Sequence, residues 1–327
     1  METTVLSSSP RLFPLYRAAV LRRPHGSGLP GRSLRLDGVT IDRVHLAEYG
    51  RVCGFRLRDE LPATYVHVLA FPMALSLMTA ADFPFPVLGL VHVENTIEVL
   101  RPLTSSDTFS LSVQAEALRP HPRGMQLDLV ATASIDDSPV WRGRSTYLRR
   151  GPGNSDKSGK SGLSAVGPPP ASAVWRVPRR TGNDYAAVSG DRNPIHTSRL
   201  MARAFGFRST IAHGMWTKAR CLAQLEGRLP ETFSVSVAFK TPMLLPATVE
   251  FSGPSSGPSS GASSGPSSGA SSGPSSGPSS GASSGASSGA SSRAADGFAV
   301  HDRRTGKPHL AGAIVELDRA DPDEGAR

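Results

Sequence analysis

The sequence predicts an α+β chain made of two copies of one unit, each an antiparallel sheet curled around a central helix. Three observations carry that prediction. The chain matches itself in register: EYGRVCGFRLRDE (48–60) lies over DYAAVSGDRNPIH (184–196), LRPLTSSDTFSL (100–111) over KTPMLLPATVEF (240–251), and PVWRGRSTYL (139–148) over PHLAGAIVEL (308–317). In each copy a short helical stretch closed by a glycine precedes a more apolar helix and then a run of strands. Finally, FSVSVAF (233–239) alternates apolar and polar residues, the mark of a strand with one buried face.

The elements follow in order. Residues 1–34 form an N-terminal arm. Its segment RLFPLYRAAVLRR is basic and partly apolar, and Pro14 and Arg17 interrupt the apolar core that a secretion signal needs, so it reads as a mobile or surface arm. Residues 35–150 are the first unit, with its central helix at about 66–79. Residues 151–174 are rich in Gly, Ser, Pro and Lys and read as a linker. Residues 175–320 are the second unit. Its central helix is expected over 215–226, where Met215, Ala219, Leu222, Leu225 and Leu229 recur at helical spacing and mark a core helix. The strands FSVSVAFKTPM, ATVEF, GFAVHDR and HLAGAIVEL follow. Residues 253–292 are ten tetrapeptides of Gly-(Pro/Ala)-Ser-Ser, which carry no charge and nothing to bury, so they are expected to be disordered. The offset between the copies rises from 140 to 169 across this tract. The tract is therefore an expanded hairpin loop inside the second unit, tolerable because loop closure costs grow only logarithmically with length. Residues 321–327 are a tail.

Composition bounds the function. The net charge is +9, and only five of the 36 basic residues are Lys. Such a surface attracts a polyanion, for example a phosphate-bearing cofactor or an acidic carrier protein; arginine richness from coding composition explains the same number. No basic run is interleaved with aromatics and no zinc spacing occurs, which argues against nucleic acid. No run of about 18 apolar residues is present, so no membrane span is expected. The two cysteines, Cys53 and Cys221, form no CxxC and no disulfide framework, which suits a reducing cytoplasm.

The chemistry concentrates in VSGDRNPIH (188–196) and IAHGM (211–215). Gly190 permits a turn that a residue with a Cβ resists. Pro194 disfavours helical geometry at Asn193, and the Asn193 amide can tie the loop. Asp191 and His196 then project from one braced loop, an arrangement suited to acid/base work on one water. The competing reading makes Asp191 or Asn193 the cap of a helix that begins near 197, with His196 an ordinary exposed residue. His213-Gly214 stands at the start of the core helix, where glycine admits a ligand and its N–H, in the helix N-terminal field, can hold an oxyanion. Acid, imidazole and amide together are what reversible hydration of an α,β-unsaturated thioester requires.

YAAVSGDRNPIH followed by IAHGM resembles the MaoC-like (R)-specific enoyl-CoA hydratases and 3-hydroxyacyl-thioester dehydratases, over about 184–251 and, with hotdog topology, to about 320. The first unit resembles the degenerate half of the double-hotdog members. The resemblance implies a double hotdog and a hydro-lyase interconverting (R)-3-hydroxyacyl and trans-2-enoyl thioesters in fatty-acid or related acyl metabolism. It implies that Asp191 and His196 share the catalytic water and that the Gly214 amide binds the thioester oxygen. No cofactor is implied beyond coenzyme A or the phosphopantetheine of an acyl carrier protein, which bears the substrate. Because two units pair edge to edge, the fused chain is expected as a monomer (a pseudo-dimer) or a homodimer.

The first unit departs from the pattern. Phe55 stands opposite Asp191 and Glu60 opposite His196, so that unit is expected to lack chemistry and to supply the acyl-chain pocket. The second helix has Thr217 where some small hydratases resembling this chain carry Ser. Asn193, His213, Lys218 and Arg220 complete the candidate substrate-binding set. Lys218 and Arg220 read either as contacts to carrier phosphates or as a solvated helix face. His213 orders the loop rather than ligating metal: no second His or Cys stands at ligand spacing, so no metal is expected. Cys221 reads as core. A non-catalytic thioester-binding subunit of a fatty-acid or polyketide assembly is the main alternative, and an intact SGDRNPIH argues against it. A hotdog thioesterase typically lacks the Asp-x-Asn-Pro-x-His arrangement.

Overall fold

The computed structural model of the chain describes residues 2–21, 26, 28–151, 170–254 and 296–318. In chain order the elements are β1 (Glu2–Leu6), α1 (Leu12–Leu21), β2 (Arg32–Val39), α2 (Arg43–Cys53), α3 (Tyr65–Met78), β3 (Leu90–Val99), β4 (Phe109–His121), β5 (Gly124–Ile135) and β6 (Ser138–Arg150). There follow β7 (Ala171–Val177), α4 (Thr181–Ser189), α5 (Pro194–Thr197), α6 (Arg199–Ala204), α7 (Gly214–Gln224), β8 (Phe233–Phe239), β9 (Ala247–Ser252), β10 (Asp296–Asp302) and β11 (Pro308–Glu316). Apart from Gly253 and Pro254, the tetrapeptide tract lies outside the described residues, as do most of the linker and the tail.

The strands form one sheet, in the order β1-β2-β4-β5-β6-β3-β8-β11-β10-β9-β7. Leaving β1 aside, the order reads the same from either edge: β2-β4-β5-β6-β3 is mirrored by β7-β9-β10-β11-β8. The two halves meet at the antiparallel β3–β8 ladder, where Thr96 faces Ser236 and Ile97 faces Val235. Their registers repeat. Thr96 pairs with Arg144 and Ser236 with Ala313, while Leu111 pairs with Ala133 and Phe251 with Val300. Thr96 and Ser236 thus occupy one position of the repeat, and the pseudo-twofold axis runs between their hydroxyls, 2.9 Å apart. The self-match at 100–111/240–251 and that at 139–148/308–317 hold strand for strand.

Each half curls its sheet around one helix. α3 is apolar on nearly every face and buries Tyr65, Val66, Met73, Leu75 and Leu77; α7 buries Met215, Trp216, Ala219, Cys221 and Leu222. The alternation of β8 buries Phe233, Val235 and Val237 on the inner face. α2 and α4 pack against each other at the junction. Each ends at a left-handed glycine, Gly54 (φ 85°) and Gly190 (φ 73°), the conformation in which glycine escapes the Cβ penalty.

Three expectations need correction. The arm carries regular structure: β1 pairs in parallel with β2, and Leu12, Leu15 and Tyr16 of α1 pack against the buried cluster that holds Leu75, Met78 and Phe83. The sheet strands begin earlier than expected, β2 at Arg32 and β7 at Ala171, so the ends of the arm and of the linker are strand. Finally, Glu60 is not the counterpart of His196. The isolated bridges Glu60–Thr104 and Ile211–Leu244 are equivalent, which sets Glu60 over Ile211. Between the turn glycine and this bridge the first unit has only residues 55–59. The second has residues 191–210, which include α5 and α6. The first unit lacks the whole segment, not two side chains of it.

Candidate active site

The segment after α4 folds by its own local chemistry. Gly190 turns the chain out of the helix. The Asp191 carboxylate accepts from the Asn193 N–H (3.2 Å), and the Asn193 side chain accepts from the Ile195 N–H (3.3 Å) as the cap of α5, with Pro194 at its first position. Ser198 caps α6 in turn. Asn193 is thus a cap, but of α5; the helix that begins near 197 is α6, capped by Ser198, and His196 is buried, 9% exposed, rather than a surface residue.

His196 Nδ1 lies 2.8 Å from the carbonyl of Ile211 and must donate to it, which leaves the Nε2 lone pair free. His213 Nε2 donates to the carbonyl of Asp191 (2.9 Å), so its Nδ1 is the unprotonated nitrogen, and that atom is buried without a partner. The two imidazoles stack with centroids 3.6 Å apart and planes 25° from parallel. Asp191, His196 and His213 bring donor atoms within 4.8 Å of one another. Burial holds the His196 pKa below its ordinary value against the pull of Asp191, and burial with His196 beside it holds His213 well below. Both rings are neutral at neutral pH.

The expectation that no second His stands within ligand reach is thus corrected, since folding brings His213 to His196. The geometry still suits a metal poorly, because stacked rings project their in-plane lone pairs along near-parallel planes rather than toward one point.

Gly214 opens α7. Its N-cap, His213, makes no side-chain cap, so the first amides of α7 are left to other partners. A Cβ on Gly214 would come within 2.8 Å of the Phe239 ring, so packing alone favours glycine here. The Thr217 hydroxyl donates to the His213 carbonyl (3.2 Å), turned back onto its own helix.

The basic pair does not reach the site. Lys218 has no exposed surface; its ammonium donates to the Asn95 carbonyl (3.2 Å), the Asn95 Oδ1 (2.6 Å) and the Val235 carbonyl (2.9 Å), tying β3 to β8. Neither a carrier phosphate nor a solvated face describes it. Arg220 lies over the Trp175 ring, 5.1 Å from its centroid, and packs on Gly54. His45 near the start of α2 donates to Val188 near the end of α4, so these helices run antiparallel and Gly54 lies at the end away from Gly190.

Sequence reasoning missed Tyr16, His67 and His92. Tyr16 of α1 bonds the backbone at Gly190 and Arg192. His67 of α3 and His92 of β3 stack 6.2 Å apart, and His92 stacks on Tyr147 (4.7 Å). His67 also lines a cavity between α3 and β4–β6, walled by Ala70, Phe71, Ala74, Leu129, Ala131 and Tyr147. Phe71 is in ordinary contact range of Gly190, which sets this cavity beside the Asp191 loop.

Comparison with known proteins gives one consistent answer. The family described as "MaoC like domain" matches residues 167–264. The 3-hydroxyacyl-thioester dehydratase X of Mycobacterium tuberculosis is 39% identical over 231 residues, 69% of this chain and 81% of the relative. The 3-hydroxybutyryl-CoA dehydratase of Methylorubrum extorquens is 37% identical over 70 residues, 20% of this chain and 45% of the relative. Among solved structures, HtdX of Mycobacterium tuberculosis superposes with a TM-score of 0.67 at 32% identity, covering 88% of this chain and all of the other. A MaoC-like dehydratase from Phytophthora capsici superposes at 0.63 and 18% identity over 90% of this chain and 97% of the other, a likeness of fold.

Proposed function

The chain belongs to the MaoC-like dehydratase family, and from that premise we propose how its own residues run the reversible loss and gain of water on a 3-hydroxyacyl thioester. The observation that carries the proposal is the meeting of Asp191, His196 and His213 within 4.8 Å beside the first turn of α7.

In the hydration direction one water sits between the Asp191 carboxylate, which keeps acceptor capacity beyond its bond to the Asn193 N–H, and the Nε2 of His196. As its oxygen bonds C3 of the enoyl chain, the water gives a proton to this pair. The C2=C3 electrons move toward the thioester carbonyl, whose oxygen is held by the Gly214 N–H in the positive field of the helix start. The pair then returns a proton to C2 on the same face, so atoms and charge balance with no external donor. Dehydration is the reverse. His213 does not touch the water: it holds the Asp191 carbonyl and, through the stack, the ring of His196.

The substrate rides on coenzyme A or an acyl carrier protein, and no further cofactor enters. The acyl chain is directed toward the α3 side of the loop, where Phe71, Ala74 and Tyr147 line a small cavity that must widen to admit it, in the unit that lacks the catalytic segment. Because the chain already joins two units across β3–β8, a monomer supplies a full site. The free, buried thiols of Cys53 and Cys221 fit a cytoplasmic enzyme. No helix among the described residues is long and apolar enough to cross a membrane.

The test is absorbance at the enoyl-thioester band with crotonyl, octenoyl and dodecenoyl thioesters. Wild type should bleach the band, and Asp191→Asn should do so about 10²–10⁴ times more slowly with an unchanged circular dichroism spectrum. Hydration by folded Asp191→Asn at the wild-type rate would remove Asp191 from the chemistry.

A further inference from the structure

The backbone that carries Asp191 has few supports of its own. It leaves α4 through a left-handed glycine and has no regular structure over 191–193. Its nearby bonds are those from the Asp191 N–H to the Ser189 hydroxyl (3.2 Å), from the Asn193 N–H to the Asp191 carboxylate (3.2 Å) and from His213 to the Asp191 carbonyl (2.9 Å). The remaining support comes from the other end of the chain. The Tyr16 hydroxyl donates to the Gly190 carbonyl at 2.7 Å and accepts from the Arg192 N–H at 2.8 Å. These are the backbone groups of the residues on either side of Asp191. One turn earlier on the same helix, Leu12 fills the space a Cβ on Gly190 would take, approaching it to 2.5 Å.

We propose that Tyr16 is a positioning residue for the reaction: its hydroxyl clamps the backbone on both sides of Asp191 and so fixes where the carboxylate meets the water and the substrate. A hydroxyl both donates and accepts, so the one Tyr16 oxygen satisfies a carbonyl and an amide at once. Burial and the nearby Asp191 charge push the phenol's ionisation upward, so both bonds persist across the working pH range. The proposal rests on the dehydratase reading for its kinetic consequence, and on geometry alone for the clamp. A displacement of about 1 Å in a reacting group is enough to cost roughly 10²-fold in rate.

Tyr16→Phe deletes both bonds and keeps the ring packing. Tested in the full chain on dodecenoyl thioester, it should lower kcat roughly 10- to 100-fold, with KM changed much less and the melting temperature nearly held. In an Asp191→Asn background the same change should cost little more, because Tyr16 acts through Asp191; a general loosening of the fold would lower both backgrounds alike. Amide exchange at Arg192 should quicken in Tyr16→Phe. Unchanged kcat, equal losses in both backgrounds, or unchanged Arg192 exchange would each overturn the clamp. If wild type hydrates no enoyl thioester, the dehydratase reading fails while the exchange measurement still judges the clamp. If Tyr16→Phe does not fold, exchange in the wild type decides: an Arg192 amide exchanging as freely as an unstructured peptide overturns it.

Discussion

A Cβ built on Gly182 would stand 2.2 Å from the carbonyl oxygen of His196. Gly182 is a buried residue near the start of α4, eight residues before the turn, and its missing side chain is what lets α5 lie against that helix. The atom it would strike is backbone and cannot rotate away. Gly182→Ala should therefore shift the His196 backbone, and its ring with it, without altering the identity of any functional side chain. Because misplacement alone is costly, the expected loss in kcat is roughly 10²-fold, with a melting temperature lowered by several degrees. Kinetics and thermal melting of the one variant check it; a wild-type kcat would mean that α5 accommodates the methyl freely.

Asp191 and His196 should behave as one unit. Asp191→Asn and His196→Ala each remove one contact of the shared water, so the double variant should be little slower than the worse single one, since groups that act together are strongly non-additive. Multiplying losses in the double variant would mean that the two residues serve separate steps.

Acid should weaken the fold before it harms the rest of the surface. Burial and the charge of Lys218 push the His67 pKa to about 4, and burial lowers His92, His196 and His213 as well. The unfolded chain takes up these protons near the ordinary value of about 6.5, while the folded chain resists. Stability is then fully present above about 6.5 and declines as pH falls toward 4. Each such proton contributes a slope of about 1.4 kcal/mol per pH unit within its window. Urea midpoints from pH 8 to pH 4 should show a plateau and then a fall, and His67→Phe should make the fall shallower by about one proton. An unchanged slope would show that His67 titrates normally in the folded chain.

Lys218 should be a stability residue with no part in the chemistry. Lys218→Met keeps the stem and removes the donors, leaving the Asn95 side chain and two carbonyls poorly paired in the core. The expected loss is about 2–4 kcal/mol, read as a shift of the urea midpoint. A shift worth less than about 0.5 kcal/mol would mean that these acceptors find other partners.

How far the sequence foretold this can be argued residue by residue. The repeat was legible because its strongest signals are backbone requirements: Gly54 and Gly190 match since both helices end in a left-handed turn, and the strand matches reappear in the hydrogen-bond register. The braced loop was legible because its bonds are local, from Asp191 to Asn193 and from Asn193 to Ile195. Lys218 was misread although its position held the answer, three residues after Met215 and four before Leu222, on the buried stripe of α7. Tyr16 and the stacking of His213 on His196 had no local signal. They come from contacts made in the folded chain, the Tyr16 bond to Gly190 spanning 174 positions. Glu60 was misaligned because a gap of fifteen residues leaves no trace in a short ungapped match.

That gap frees the two halves from each other. In a homodimer of single units, every substitution appears twice, and a change that widens the chain-binding side also lands on the catalytic side of the partner. Here the segment 191–210 stands on one half and the cavity beside Phe71 and Tyr147 on the other half of one polypeptide. On the proposed reading, changes around Ala70 and Ala74 bear on the acyl chain with no mirrored change at His196, and the Asp191 loop can be altered with no mirrored change beside Phe71. A near-symmetric scaffold with the segment on one side only presents two surfaces that natural selection, or a protein engineer, can alter one at a time.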